Sequence, residues 1–346
     1  MARPEYFFAP GIRWSMDKGV RAMKRAAVTA LLVLGAQFLL CILLVRGGTP
    51  TDKPGTGPGA PSSGDEVRQV RLLLEDGSVQ TVSLSDYLWS VVAAEMPASF
   101  EQQALCAQAV AARTYWARLC QGEKHEGADI CTQSSCCQAY IPKEQAMENW
   151  GAKATEYAGR IAAAVEQTDA LVVTSEGQPI QALFFSSAPG STVDAQAVWG
   201  RAVSYLVSVD SPEGEEVPNY RSQVSLPVKE FRSLAQKTWP EVDLSGPVSG
   251  WLSDFVWEPS GTVNTVKVGG VTVKGGEVRK LLGLRSACFT VTEADGVLTF
   301  HVTGYGHGVG MSQYGANALA RQGKDFRDIL SWYYTGTQIT PLGEVL

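Results

Sequence analysis

The chain has 346 residues, 45% of them hydrophobic and 18% charged, with a formal net charge of −6. That is enough apolar material for one large domain or two smaller ones, and it excludes a wholly disordered chain. Seven of the 29 basic and two of the 35 acidic side chains fall in residues 1–46, leaving 22 basic and 33 acidic beyond, a balance that argues against nucleic acid and against bulk attraction to anionic polymers.

Residues 1–25 carry six basic side chains against Glu5 and Asp17, and they precede 20 uncharged residues, Ala26 to Val45. At about 1.5 Å per residue such a run spans about 30 Å of hydrocarbon, so it predicts one transmembrane helix. The basic flank predicts a cytoplasmic tail over 1–25 and an extracytoplasmic remainder, and the run exceeds the 7–15 apolar residues of a cleaved signal peptide. Residues 46–66, rich in Gly, Pro, Ser and Thr, read as a flexible linker, so the extracytoplasmic domain is 67–346.

Val67 to Leu74 and Val79 to Leu84 flank Glu75-Asp76-Gly77-Ser78, an Asp-Gly hairpin signal. Ser85 is a candidate N-cap for a helix whose stripe, Leu88, Val91, Val92 and Glu95, ends two residues before Pro97. Glu95 therefore sits in a last turn, where the helix dipole and desolvation both oppose ionisation and favour a protonated carboxyl. The same pattern also fits a helical hairpin in which Glu95 pairs with an arginine. A second helix, Glu101 to about Cys120, is alanine-rich, which permits close backbone approach, and carries Arg113 and Tyr115.

The next stretch, HEGADICTQSSCCQAY, holds His125, Cys131, Cys136 and Cys137. The even spacing of His125, Cys131 and Cys137 suits a Zn²⁺ ion with an open fourth position, with Cys136 as a substitute for Cys137; disulfides and unpaired thiols are the alternatives. Cys106 and Cys120 cannot bridge each other on one helix, being about 21 Å apart. Glu144 to Val165 reads as a helix interrupted at Gly151 and Gly159, and 170–175 with 180–185 as a hairpin that runs into Ser186-Ser187-Ala188-Pro189-Gly190. Val228 to Trp239 is helical in pattern, and 253–302 alternates strands and Gly-rich turns around a short helix at 277–282. In GYGHGVGMSQYG, Gly304, Gly306, Gly308 and Gly310 fall on one side of an extended chain and leave bare backbone there, after which Ser312 caps a helix to about Gln322.

The run VVAAEMPASFEQQALCAQAVAARTYW and the downstream GYGHGVGMSQYGA together resemble the stage II sporulation protein D family of lytic transglycosylases, from about Val67 to the C-terminus. The resemblance implies an α+β fold, a helical region around the glutamate packed against a larger β-rich body, and makes Glu95 the catalytic acid. It favours zinc on His125, Cys131 and Cys137. A serine-containing turn facing substrate falls at Ser187, although Ala188-Pro189 departs from the family's small polar residues. A glycan groove is implied at Tyr305, His307, Ser312, Gln313 and Tyr314, with Arg113 orienting glycan or a nearby carboxylate. Asp210 is explained as well by a Ser-Pro turn as by catalysis, and stays off the catalytic set.

Ordinary glycosidases need two carboxyl groups, and only Glu95 is compelling in this sequence. A lytic transglycosylase manages with one, because the C6 hydroxyl of N-acetylmuramic acid is an internal nucleophile: Glu95 protonates the glycosidic oxygen, then takes the hydroxyl proton, leaving a 1,6-anhydro end. The family further implies action on denuded peptidoglycan strands during engulfment in sporulation, in the septal membrane, beside an amidase and an associated membrane protein. Two other readings are a non-catalytic wall-binding module that recruits or activates an amidase, and a zinc hydrolase, disfavoured because two thiolates leave zinc a poor Lewis acid.

Overall fold

A computed structural model describes residues 64–122 and 124–346. The expected tail, the membrane helix at 26–45 and the linker up to residue 63 lie outside the described residues. Among the described residues no helix is long and apolar enough to cross a membrane. The domain begins earlier than its sequence suggests: Asp65, placed by composition in the linker, is buried against Arg113.

Strands β1 (Gln69–Leu73) and β2 (Val79–Ser83) form the expected antiparallel hairpin. Its turn is held by Asp76, whose Oδ1 accepts from the Ser78 backbone N–H at 2.9 Å, while Gly77 supplies a φ of +83°. Helix α1 (Leu84–Glu95) follows directly. Its N-cap is Ser83, not Ser85: Ser83 Oγ accepts from the Asp86 N–H at 3.0 Å and donates to Asp86 Oδ2 at 2.9 Å, a reciprocal cap that Ser85 does not make. The helix stops at Glu95 because Met96, preceding a proline, is driven into extended geometry at φ −126°, ψ 136°.

Helix α2 (Gln102–Leu119) is the central element. Ala104, Ala107, Ala109, Ala111, Ala112 and Ala117 have no exposed surface, so neighbouring backbones pack directly on the helix. It contacts α1, α4 (Ala154–Gln167), α8 (Gln313–Arg321), α9 (Phe326–Tyr333) and strand β4 (Leu171–Ser175). Between α2 and α4 run β3 (Ile130–Cys131), parallel to β1, and α3 (Lys143–Trp150). Of the two glycines expected to interrupt this region only Gly151, at φ +52°, ends a helix; exposed Gly159 is carried inside α4.

β4 turns through Glu176 and Gly177, both at positive φ, into β5 (Gln178–Pro179), and β14 (Gln338–Pro341) pairs on its other side. β6 (Phe184–Phe185) then leaves that hairpin to pair in parallel with β13 (Met311–Ser312). Helix α5 (Ala195–Trp199) follows, N-capped by Asp194.

A second, smaller core surrounds Phe231, Trp251, Phe289 and Phe300. It is built from β7 (Arg221–Pro227), α6 (Val228–Thr238), β8 (Leu252–Trp257), β9 (Val263–Val268), β10 (Val271–Lys274), α7 (Gly275–Leu282), β11 (Phe289–Ala294) and β12 (Val297–Thr303). These strands form two antiparallel three-stranded sheets, β10-β9-β8 and β11-β12-β7. The α+β class agrees with the sequence, but the larger core is the one around α1 and α2 rather than the β-rich body.

The glycine run before α8 is not the extended strand its alternation suggested. Gly304, Gly306, Gly308 and Gly310 have φ of +78°, +122°, +84° and +80°, and their bare sides press on residues 183–193. A Cβ at Gly310 would lie 2.1 Å from the Leu183 carbonyl oxygen. Gly310→Ala is therefore expected to cost more than the roughly 1–2 kcal/mol of a left-handed L-residue, because buried backbone must also move. Gly276→Ala, in open space on α7, should be neutral or slightly stabilising. Urea denaturation of the two variants checks the contrast, and equal midpoints would contradict it.

Candidate active site

Glu95 is the last residue of α1 and half-buried. Its Oε1 accepts from the Ala139 backbone N–H at 2.7 Å. Burial raises the carboxyl above the ordinary 4.5, and hydrogen bonds from Ala139 and from the Gln313 side chain oppose that rise without cancelling it. The group is thus held in place by donors yet keeps its proton to higher pH than a surface glutamate. Gln313 Nε2 in turn donates to Gln108 Oε1 of α2 at 3.4 Å, which ties the carboxyl to the central helix.

Gln313 is placed by the turn that opens α8. Ser312 caps that helix, accepting from the Gly315 N–H at 3.3 Å, while its hydroxyl donates to Glu213. Ser312 has no exposed surface, so it organises the site from beneath and does not meet a ligand as expected. Tyr314 reaches the same place: its N–H donates to Ser186 O at 3.0 Å and its ring packs edge-on to Phe100 at 4.9 Å. Ser187 and Tyr305 exchange two backbone hydrogen bonds, 3.0 and 2.8 Å long. The Gly-rich loop, the Ser186-Ser187 turn and the Glu95 helix end are therefore one assembly.

Within it, Ser187 is buried and its hydroxyl has no hydrogen-bond partner, whereas Tyr305 is 43% exposed with the Arg285 guanidinium 3.9 Å from its ring centroid. His307 has both ring nitrogens engaged by backbone groups. Its Nε2 donates to Phe184 O at 3.1 Å, its Nδ1 accepts from the Val309 N–H at 3.2 Å, and burial together with the Arg279 charge pushes it down to about 4.

Arg113 does not reach a ligand. It has no exposed surface, and its guanidinium is committed to Asp65, with Nε at 2.9 Å from both carboxylate oxygens, and to Leu171 O at 3.1 Å. Of its two expected roles, orienting a carboxylate is the one observed, with Asp65 as that carboxylate. Asp210, exposed, offers its backbone carbonyl to Trp332 Nε1 at 2.7 Å.

Sequence reasoning missed Glu213. This 5%-exposed carboxylate accepts from the Ala188 N–H and the Ser211 hydroxyl, each at 2.6 Å, and from Ser312, and so bolts the 186–188 turn to the start of α8. Its neighbours crowd Gly315, where a Cβ would lie 2.0 Å from the Tyr333 hydroxyl. With its oxygens taken by three donors, Glu213 is structural, and Glu95 remains the one carboxyl presented by this assembly.

Beside Glu95 the segment 125–137 gathers four side chains that could hold a metal ion. One atom each from His125, Cys131, Cys136 and Cys137 lies within 4.8 Å of all the others. His125 Nε2 is 3.2 Å from Cys137 Sγ and 3.9 Å from Cys136 Sγ, and the two sulfurs are 4.0 Å apart. Cys136, expected only as a substitute, joins the set as a fourth donor. The turn that presents it is closed by the Cys136 and Cys137 N–H groups, both donating to Gln133 O. Two residues after Cys137 comes Ala139, whose N–H holds Glu95, so the donor set and the carboxyl share one loop. Tyr87 of α1 bonds to the intervening Gln138, its hydroxyl donating to Oε1 at 2.8 Å.

Residues 75–174, which span Glu95 and all four of these donors, match the family model described as Stage II sporulation protein. The chain is 38% identical over 266 residues to Stage II sporulation protein D of Bacillus subtilis (strain 168), covering 76% of each protein. It is 37% identical over the same length to Stage II sporulation protein D of Bacillus amyloliquefaciens, again covering 76% of each. Amidase enhancer of Bacillus subtilis (strain 168) is 27% identical over 301 residues, 73% of this chain and 40% of that protein.

Proposed function

Because the chain belongs to the stage II sporulation protein D family, we propose that it is a membrane-anchored lytic transglycosylase that cuts denuded peptidoglycan strands during engulfment in sporulation. The observation that carries this reading is a single presented carboxyl, Glu95, whose hold on its proton is strengthened by burial at a helix end. Glu95 donates its proton to the oxygen between N-acetylmuramic acid and N-acetylglucosamine. The resulting carboxylate, still held by Ala139 and Gln313, then removes the proton of the C6 hydroxyl as that oxygen closes on C1. No second carboxyl is needed, since attack is intramolecular. Residues 26–45 anchor the protein with its domain outside the cytoplasm, where a sporulation amidase and an associated membrane protein are its partners.

The metal in this reading is Zn²⁺ on His125, Cys131, Cys136 and Cys137. Zinc–sulfur and zinc–nitrogen bonds of about 2.3 and 2.0–2.1 Å give tetrahedral edges of about 3.5–3.8 Å, close to the 3.2, 3.9 and 4.0 Å among His125, Cys136 and Cys137. Such an ion would brace the loop that carries Ala139. Zinc at about 100 times its Kd adds about 2.7 kcal/mol to stability, so its removal by chelation should lower the unfolding temperature by roughly 5–10 °C. Elemental analysis should find one zinc per chain, lost in Cys137→Ser; a metal-free protein of unchanged stability would remove the ion from the account.

A second reading, a non-catalytic module that activates an amidase, is favoured by the relative named Amidase enhancer. The two part on a simple experiment. Peptide-free strands incubated with the protein alone release soluble fragments if it is the enzyme. Stimulation of a purified amidase, with no release by the protein alone, identifies the module.

A further inference from the structure

Behind His307 lies a cavity of about 110 Å³. One water needs about 10–15 Å³ of such space, while a whole ligand site usually measures about 300 Å³ or more, so this cavity takes one substituent of a larger molecule. Its apolar lining comprises Val193, Val198, Val263 and Ala287, with His307 beside them. Both His307 nitrogens are already satisfied, so the ring contributes shape and no charge. The rim is polar and mixed in sign. Asn264 Nδ2 donates to Glu258 Oε1 at 2.7 Å, which leaves Asn264 Oδ1 and the second Glu258 oxygen as acceptors, and the Lys274 ammonium, 3.2 Å from Val198 O, has further protons to give.

The cavity is reached from the surface. Ala197, Glu258, Asn264 and Lys274 also line a wider open cleft of about 480 Å³, ample for a sugar ring. Trp199, 48% exposed, lies in the chain between Val198 of the cavity and Gly200 of the cleft, with its ring 5.7 Å from that of His307. The next exposed aromatic along the Gly-rich loop is Tyr305, which is bonded to Ser187 of the Glu95 assembly.

An apolar pit for a methyl group, a rim that can both accept from and donate to an amide, and a neighbouring exposed tryptophan together match a 2-acetamido sugar. We propose that this cavity is a subsite for the acetamido group of an N-acetylated hexosamine whose ring lies against Trp199. The assignment rests on the glycan reading above. The methyl enters between Val193, Val198 and Val263, the amide N–H donates to Asn264 or Glu258, and its carbonyl accepts from Lys274.

The test is calorimetric binding of an N-acetylglucosamine tetrasaccharide and of cellotetraose, which is neutral and carries a hydroxyl in place of the acetamido group. The wild-type protein should prefer the acetylated sugar by about tenfold or more, the usual reward for filling an apolar pocket. Ala197→Leu, which fills the cavity mouth, and Asn264→Ala, which removes an acceptor, should each bring the two sugars towards parity while the unfolding temperature stays near wild type. Equal binding by the wild type, or a preference that survives both substitutions, overturns the subsite. A protein that releases fragments from glycan strands yet shows no acetamido preference loses the subsite and keeps the transglycosylase reading. A protein that neither binds either sugar nor cuts strands loses both.

Discussion

Glu95→Gln is expected to lower strand cleavage by about 10²–10⁴-fold, the usual worth of a positioned general acid, while the protein stays folded. The amide oxygen still accepts from Ala139, so the loop is retained, but no proton can be given to the leaving oxygen. The pH dependence follows from the raised carboxyl. An acid works only when protonated, so the wild-type rate should fall as pH rises through the folded-state pKa of Glu95, which lies above the ordinary 4.5. Stability has the same sign. Between the unfolded and folded values the native state binds more protons, so the stability contributed by protonated Glu95 is full below the unfolded value and is lost as pH rises through the folded one. Glu95→Gln should therefore unfold no lower than wild type near pH 7, and higher if burial of the charge is the dominant cost. Rates and unfolding midpoints measured from about pH 4 to 9 check both statements, and a Gln variant that cuts strands at the wild-type rate would contradict the first.

The second large effect is on the fold. Arg113→Ala leaves Asp65 buried without its guanidinium, and breaking a buried pair in this way costs about 3–5 kcal/mol. Burial already raises the Asp65 carboxyl, with Arg113 as the main opposing influence and Asp169 adding to the rise. Without the arginine, Asp65 should take up a proton. The double variant Asp65→Asn with Arg113→Met should recover part of the loss, since the uncompensated charge is what is expensive. Urea denaturation gives the magnitude. An Arg113→Ala protein of wild-type stability that no longer binds glycan would restore the ligand-facing role that its burial argues against.

The position of Glu95 was legible because a proline two residues on fixes where its helix stops. Its N-cap was misplaced because SLSD offers two serines, and only Ser83 has Asp86 at the right offset to complete the reciprocal bond. Arg113 carried a signal that periodicity alone did not use. A helix that is alanine-rich all round is surrounded by protein, so its arginine must be buried and must find a carboxylate. Cys136 was legible only as a substitute for Cys137, since adjacent residues on an extended chain point apart, whereas a tight turn closed on Gln133 brings both thiols into one cluster. Glu213 had no signal of its own. SPEGEE reads as a solvated acidic turn, and only the approach of Ser312, 99 residues away, makes one of its carboxylates a buried hub. The alternating glycines marked close backbone approach, as expected, but the left-handed geometry that achieves it depends on what they pack against.

The measurement that bears most directly on the central claim is the chemistry of the cut ends. Peptide-free glycan strands incubated with the wild-type domain and analysed by mass spectrometry should yield fragments one water lighter than hydrolytic products, ending in 1,6-anhydro-N-acetylmuramic acid. Hydrated reducing ends, or strands left intact, would contradict a Glu95-driven transglycosylase.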